Sequence, residues 1–130
     1  MQIDRLDHLV LTVADIEQTC AFYMRVLGMQ VIRFDANGET RRALTFGESK
    51  INLHQVGHEF EPKAARPTPG SADLCFTTST PLVEVIAHLH ECAVTIIEGP
   101  VRRSGATSAL ESVYFRDPDS NLIEVSNRVH

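Results

Sequence analysis

Residues 5–13, RLDHLVLTV, alternate toward the two-residue period of a strand, and Asp15 follows where a helix N-cap is expected. Ile16, Cys20, Tyr23 and Leu27 then recur at spacings of 4, 3 and 4. That is one apolar face of a helix, and Gly28 supplies its stop. Three short strands are predicted next, at 29–35, 40–46 and 50–56, with Asn37-Gly38 as the hairpin signal between the first two. A polar, proline-bearing connection, GHEFEPKAARPTPG (57–70), interrupts the pattern. The programme then restarts. Residues 71–78 read as a strand that opens buried, although it carries the ionisable Asp73. Thr80 and Pro81 read as N-cap and first-turn proline, and Leu82, Val85, Ile86, Leu89 and Ala93 as a second amphipathic helix. Strands are predicted at 94–98, 110–116 and 121–127, with a long loop, GPVRRSGATS (99–108), between the first two.

The order β-α-β-β-β therefore occurs twice, which predicts an α+β fold of two tandem βαβββ modules. The first spans 1–56 and the second 71–130, with 57–70 as linker. Matching the opening strands and helix starts sets His8 against Asp73, 65 positions on. Matching the closing strands, KINLHQV with LIEVSNR, sets Asn52 against Glu124, 72 positions on. Two curled sheets, each with a helix on its back, are expected to leave a central trough lined by these four polar side chains.

Composition narrows the function classes. Seventeen acidic against twelve basic residues give a net charge of −5, and no long basic run is present, which argues against nucleic acid. No apolar stretch approaches the ~20 residues needed to span a membrane, and MQIDRLDHLV lacks the plan of a signal peptide. Three scattered cysteines, Cys20, Cys75 and Cys92, read as free thiols in a reducing compartment. A cytoplasmic globular domain is the expectation.

Glu124 stands between Ile123 and Val125 in a strand whose neighbours look buried, so a compensating cation or a raised pKa is expected there. His8, in an otherwise apolar strand, reads as a metal ligand or as a hydrogen-bonded core histidine. Asp73 offers carboxylate oxygen, either to a metal or to an arginine. Asn52 is a weak ligand that could orient water or substrate, or simply be a buried amide. His54, two residues on, shares its face and could supply a fourth ligand or a proton-transfer group. Ser112, Tyr114 and Arg116 alternate onto one face of the penultimate strand. Arg102, Arg103 and Gly105 lie in the predicted loop, where arginines could hold an anionic substrate.

The stretches DHLVLTV, FYMRVLGMQV, INLHQV, GSADLCF and FRDPDSNLIEV together resemble the vicinal oxygen chelate superfamily. That superfamily includes glyoxalase I, extradiol dioxygenases, fosfomycin-modifying enzymes and bleomycin-resistance proteins. Within it, FGESKINLHQVGHEFEPKA and PGSADLCF are most similar to glyoxalase domain-containing protein 5 and its bacterial relatives. The resemblance covers residues 1–130 as a single domain and implies paired modules around a cavity. It also implies one divalent metal ion per site (Mn, Mg, Zn, Fe, Co or Ni). Carried over by position, the metal-ligand positions are His8, Asn52, Asp73 and Glu124; the ligands would be His8, Asp73 and Glu124, with Asn52, or His54 on its face, as a fourth. Joined to the residue reading above, His54 and Glu124 would be catalytic, and Asn52, Arg103, Ser108, Ser112, Tyr114 and Arg116 would contact substrate. Ser108, Ser112 and Tyr114 fall where fosfomycin-modifying enzymes carry anion-contacting groups, although Val10 replaces the threonine that follows their first histidine. Asn52 and Asp73 depart from the usual ligand types. Two readings follow: a metal-dependent lyase, isomerase, thiol transferase or dioxygenase acting on a small oxygen-chelating substrate, or a metal-free small-molecule-binding protein. A homodimer is implied in both.

Overall fold

The computed structural model describes all 130 residues, which divide into two compact units, Met1–Pro69 and Gly70–His130. The first unit contains β1 (His8–Val13), α1 (Ile16–Leu27), β2 (Gln30–Ala36), β3 (Glu39–Phe46) and β4 (Ser49–Gln55). Its sheet runs β1-β4-β3-β2, with β1 parallel to β4 and the other pairs antiparallel. Asp15 caps α1 as its residue type predicts, accepting from the Gln18 amide at 3.0 Å. Gly28 closes the helix in the left-handed region (φ 67), where a side chain would be strained. Asn37 and Gly38 both take positive φ, the demand of a two-residue hairpin turn. Cys20, Tyr23 and Val26 of α1 are buried, as are Leu11, Val13, Leu44, Ile51 and Leu53 of the sheet. Burying each large member of that set contributes about 1.5–3 kcal/mol. Arg42 of β3 pairs with Glu17 of α1 at the edge of this packing.

The second unit repeats the design with β5 (Asp73–Thr77), α2 (Leu82–Glu91), β6 (Glu98–Ser104), β7 (Ala109–Arg116) and β8 (Leu122–Val129). Its sheet runs β5-β8-β7-β6, with β5 parallel to β8. The ladders agree with the register read from the repeat. Val10 lies beside Asn52 in one parallel pair and Cys75 beside Glu124 in the other. His8 and Asp73, two residues earlier, open their strands at equivalent positions. Asp117 and Asn121 fasten the start of β5. The Asp117 carboxylate accepts from the amides of Asp119 and Asn121, and Asn121 Oδ1 accepts from the Ala72 amide at 2.9 Å.

Three local expectations change. Thr80 does not cap α2: Pro81 is the N-cap residue, and Asn127 of β8 accepts from the Leu82 amide at 2.8 Å. The strand expected at 94–98 begins only at Glu98 and continues through most of the predicted loop. Gly99 (φ 108) and Pro100 coincide with a register shift, residue types an edge strand tolerates and a central strand does not. Finally, β5 does not open buried. Asp73, Cys75 and Thr77 are exposed while Leu74 and Phe76 are half-buried, so Asp73 lies on an open sheet face.

Candidate functional site

The chemistry of the second unit gathers on that open face. Alternation places Tyr114 and Ser112 of β7, Glu124 and Ser126 of β8, and Asp73 and Cys75 of β5 on one side. Glu124 Oε2 accepts from Ser112 Oγ at 2.6 Å and from Ser126 Oγ at 3.3 Å. The two hydroxyls are themselves 2.6 Å apart, and both serines are buried. The Glu124 carboxylate is thus tethered by hydroxyls rather than by an arginine. Cys75 Sγ lies 3.4 Å from Ser126 Oγ. Burial pushes the Cys75 thiol pKa up, and the negative Glu124 adds to the effect. The thiol, exposed on the sheet face, is thereby held in its protonated, less nucleophilic form at neutral pH.

Beside this cluster, Arg103 Nε donates to Tyr114 Oη at 3.0 Å while its Nη2 meets Glu98 at 3.0 Å. Burial raises the Tyr114 pKa against the opposing pull of Arg103, so the phenol keeps its proton at neutral pH. A cavity of about 370 Å³ opens here, lined by Cys75, Arg103, Ser108, Tyr114, Glu124 and Arg128 among others. Arg103 therefore reaches the cavity from a strand and not from a loop. Arg116 stands apart: its Nη1 donates to Ser120 O at 3.3 Å, and it does not line the cavity.

In the first unit, His8 is 43% exposed at the head of β1, with Nδ1 2.8 Å from Asp7 Oδ2. Asn52 shares its sheet face, and the Asn52 Oδ1 atom is buried without a hydrogen-bond partner. His54 is buried at 7% exposure, set edge-on to Phe60 at 5.4 Å, while the Arg41 guanidinium covers the same ring at 4.0 Å. Burial, and then the positive Arg41, lower the His54 pKa and keep the ring neutral at pH 7.

The residue pattern of the Glyoxalase/Bleomycin resistance protein/Dioxygenase superfamily matches residues 5–125. The chain belongs to this superfamily. Virulence protein STM3117 of Salmonella typhimurium is 58% identical over 129 residues, covering 99% of this chain and 88% of that protein. Its crystal structure superposes with a TM-score of 0.94 at 57% identity, covering 99% of this chain and 100% of that one. The glyoxalase domain-containing protein RDO1 of Mycosarcoma maydis is 50% identical over 127 residues, covering 98% of this chain and 70% of that protein. An integron cassette protein from V. cholerae is 59% identical with a TM-score of 0.93, covering 98% of this chain and 97% of that one.

Members of this superfamily often bind a divalent metal ion, and several donor atoms here are of types such an ion accepts. Asn52 Oδ1 is a buried acceptor left unpaired, and Glu124 and Asp73 present carboxylate oxygens on one sheet face. The fit is one of donor type within each unit, since no three His, Cys, Asp or Glu side chains form a group able to hold a metal ion. Ser126, Arg128 and Phe60 were not picked out from the sequence. Counting two and four residues on from Glu124 would have found the first two; Phe60 lies in the connection, where no periodicity points to it.

Proposed function

We propose that this protein is a divalent-metal-dependent enzyme, of lyase, isomerase, thiol-transferase or dioxygenase type, acting on a small substrate that binds the metal through oxygen. The observation that carries the reading is the setting of Glu124, a half-buried carboxylate oriented by two buried hydroxyls at the wall of a cavity. A carboxylate whose only task was to face solvent would not need that support. Glu124 and Asp73 of the second unit would be oxygen ligands, and a homodimer is the expected assembly. In the first unit His8 Nε2 offers a nitrogen of metal-binding type, and Asn52 Oδ1 is an unpaired acceptor suited to a bound water.

A bound cation would polarise a substrate carbonyl and stabilise the oxyanion or enolate form. The chain's own groups supply the rest. Tyr114 Oη, held by Arg103 Nε beside the Glu124 carboxylate, would offer its proton to a substrate oxygen that takes the place of Glu124 as acceptor. Ser112 and Ser126 hold Glu124 in one orientation, which limits the reorganisation needed when charge develops. Ser108 lines the same cavity and offers a further hydroxyl. His54 of the first unit is kept neutral, the form in which an imidazole can accept a proton, a role the Asn52 amide cannot fill. The three free cysteines are in keeping with a reducing, cytoplasmic location.

Elemental analysis after reconstitution tests the reading. About one divalent ion per chain is expected, falling severalfold in Glu124→Gln and Asp73→Asn. Less than ~0.2 ion per chain, with the variants unchanged, would overturn it in favour of a metal-free binding protein.

A further inference from the structure

We infer that the far end of the second-unit cavity is an oxyanion subsite centred on Arg128, and that the substrate is a small acid bearing a carboxylate or phosphate group. The inference rests on the reading that this cavity receives the substrate. Arg103 of β6, Leu110 of β7 and Arg128 of β8 are consecutive partners in one row across the sheet. Neighbouring strands lie about 4.8 Å apart, so the two arginine backbones stand roughly 10 Å apart with Leu110 as the floor between them. The planar fork of Arg128 suits carboxylate or phosphate, with Arg103 adding positive charge nearby.

The two arginines differ in how far they are already engaged. Arg103 donates to Tyr114, to the Arg102 carbonyl and to Glu98, so its charge is largely answered. Arg128 is exposed at the edge of the cavity and makes no hydrogen bond or ion pair. In a chain of net charge −5, an unpaired cation at a cavity edge attracts anions. The cavity wall at this end is the turn from Ser104 to Ser108, where the Gly105 amide donates to Ser108 O at 2.9 Å. A Cβ on Gly105 would sit 2.5 Å from that carbonyl, so only glycine lets the turn close against the row.

Arg128 lies four residues from Glu124 on the same strand and face, a run of about 13 Å. One ligand can therefore place an anionic group at Arg128 and oxygen donors near Glu124. Cations would be repelled from the arginine end, and a neutral ligand would leave Arg128 unanswered.

The subsite is tested by titrating chelator-treated, metal-free protein with inorganic phosphate and, in parallel, with acetate at constant ionic strength. Amide chemical shifts provide the readout. Saturable binding of at least one anion is expected, with the largest shifts at residues 105–108 and at Arg128; the tighter of the two identifies the favoured oxyanion. Arg128→Gln should weaken binding about tenfold and Arg128→Lys less, while Arg25→Gln on α1 should leave it unchanged. Absence of saturable binding by either anion overturns the inference, as does equal affinity in Arg128→Gln or an equal loss in Arg25→Gln. Because no metal is present, failure here leaves the metal reading intact, and loss of metal in Glu124→Gln leaves this result intact.

Discussion

Replacing Ser112 by alanine removes one buried hydroxyl and little else, which makes it a direct probe of how Glu124 is held. Ser112 Oγ makes two contacts of 2.6 Å, one to the Glu124 carboxylate and one to Ser126 Oγ. A hydrogen bond to a charged group contributes about 1.5–3 kcal/mol. Glu124 is only half-buried, which favours the lower end, and Ser126 keeps its own 3.3 Å bond to the carboxylate. Ser112→Ala should therefore cost about 1.5–2 kcal/mol. Combined with Glu124→Gln, the two changes should couple by about 1 kcal/mol, since each removes the same charge-assisted bond. The chain has no tryptophan, so urea unfolding is best followed by far-ultraviolet circular dichroism. A loss below ~0.5 kcal/mol, or a coupling below ~0.3 kcal/mol, would refute the view that the hydroxyl pair anchors this carboxylate.

Gly70→Ala should destabilise by about 2–3 kcal/mol, because its φ is 83 and an added Cβ would lie 2.6 Å from the Asp119 carbonyl. Gly38→Ala shares the positive φ but meets no neighbour, so the same urea assay should show only about 1 kcal/mol. Asn127→Ala removes the acceptor for the Leu82 amide and the donor to the Thr78 and Thr80 carbonyls; a loss of about 1–2 kcal/mol is expected, with amide exchange accelerated in the first turn of α2. The lowered His54 pKa means the unfolded chain binds its proton first, so stability present above about pH 6.5 declines as pH falls through the folded value. His54→Gln should flatten that decline, and an unchanged pH–stability curve in the variant would contradict the assignment.

Much of the architecture could be read along the chain because its determinants are local. Asp15, Gly28 and Asn37-Gly38 act within a few residues, and the two helices announce themselves by apolar spacing. The repeat register was also legible: with a side-chain period of two, the offsets from His8 to Asp73 and from Asn52 to Glu124 could not slip without reversing each face. What escaped depends on distant partners. Edge strand β6 carries Gly99, Pro100 and two arginines, loop-like residue types whose strand geometry comes from pairing with β7. The cap of α2 comes from Asn127, 45 positions away, so Thr80 looked sufficient when read locally. Phe60 matters only because Arg41 and His54 fold onto it. The candidate site divides in the same way. Ser112, Tyr114 and Glu124 were visible through alternation, whereas the support from Ser126 and the unpaired state of Arg128 emerge only from the assembled sheet.

The proposed metal dependence turns on the carboxylates of the second unit, Glu124 and Asp73. Anomalous diffraction from crystals of the Mn²⁺-reconstituted protein tests it most directly. A strong peak is expected within about 2.0–2.4 Å of Glu124 oxygen and Asp73 oxygen. A peak bound by other residues, or none at full reconstitution, would contradict it.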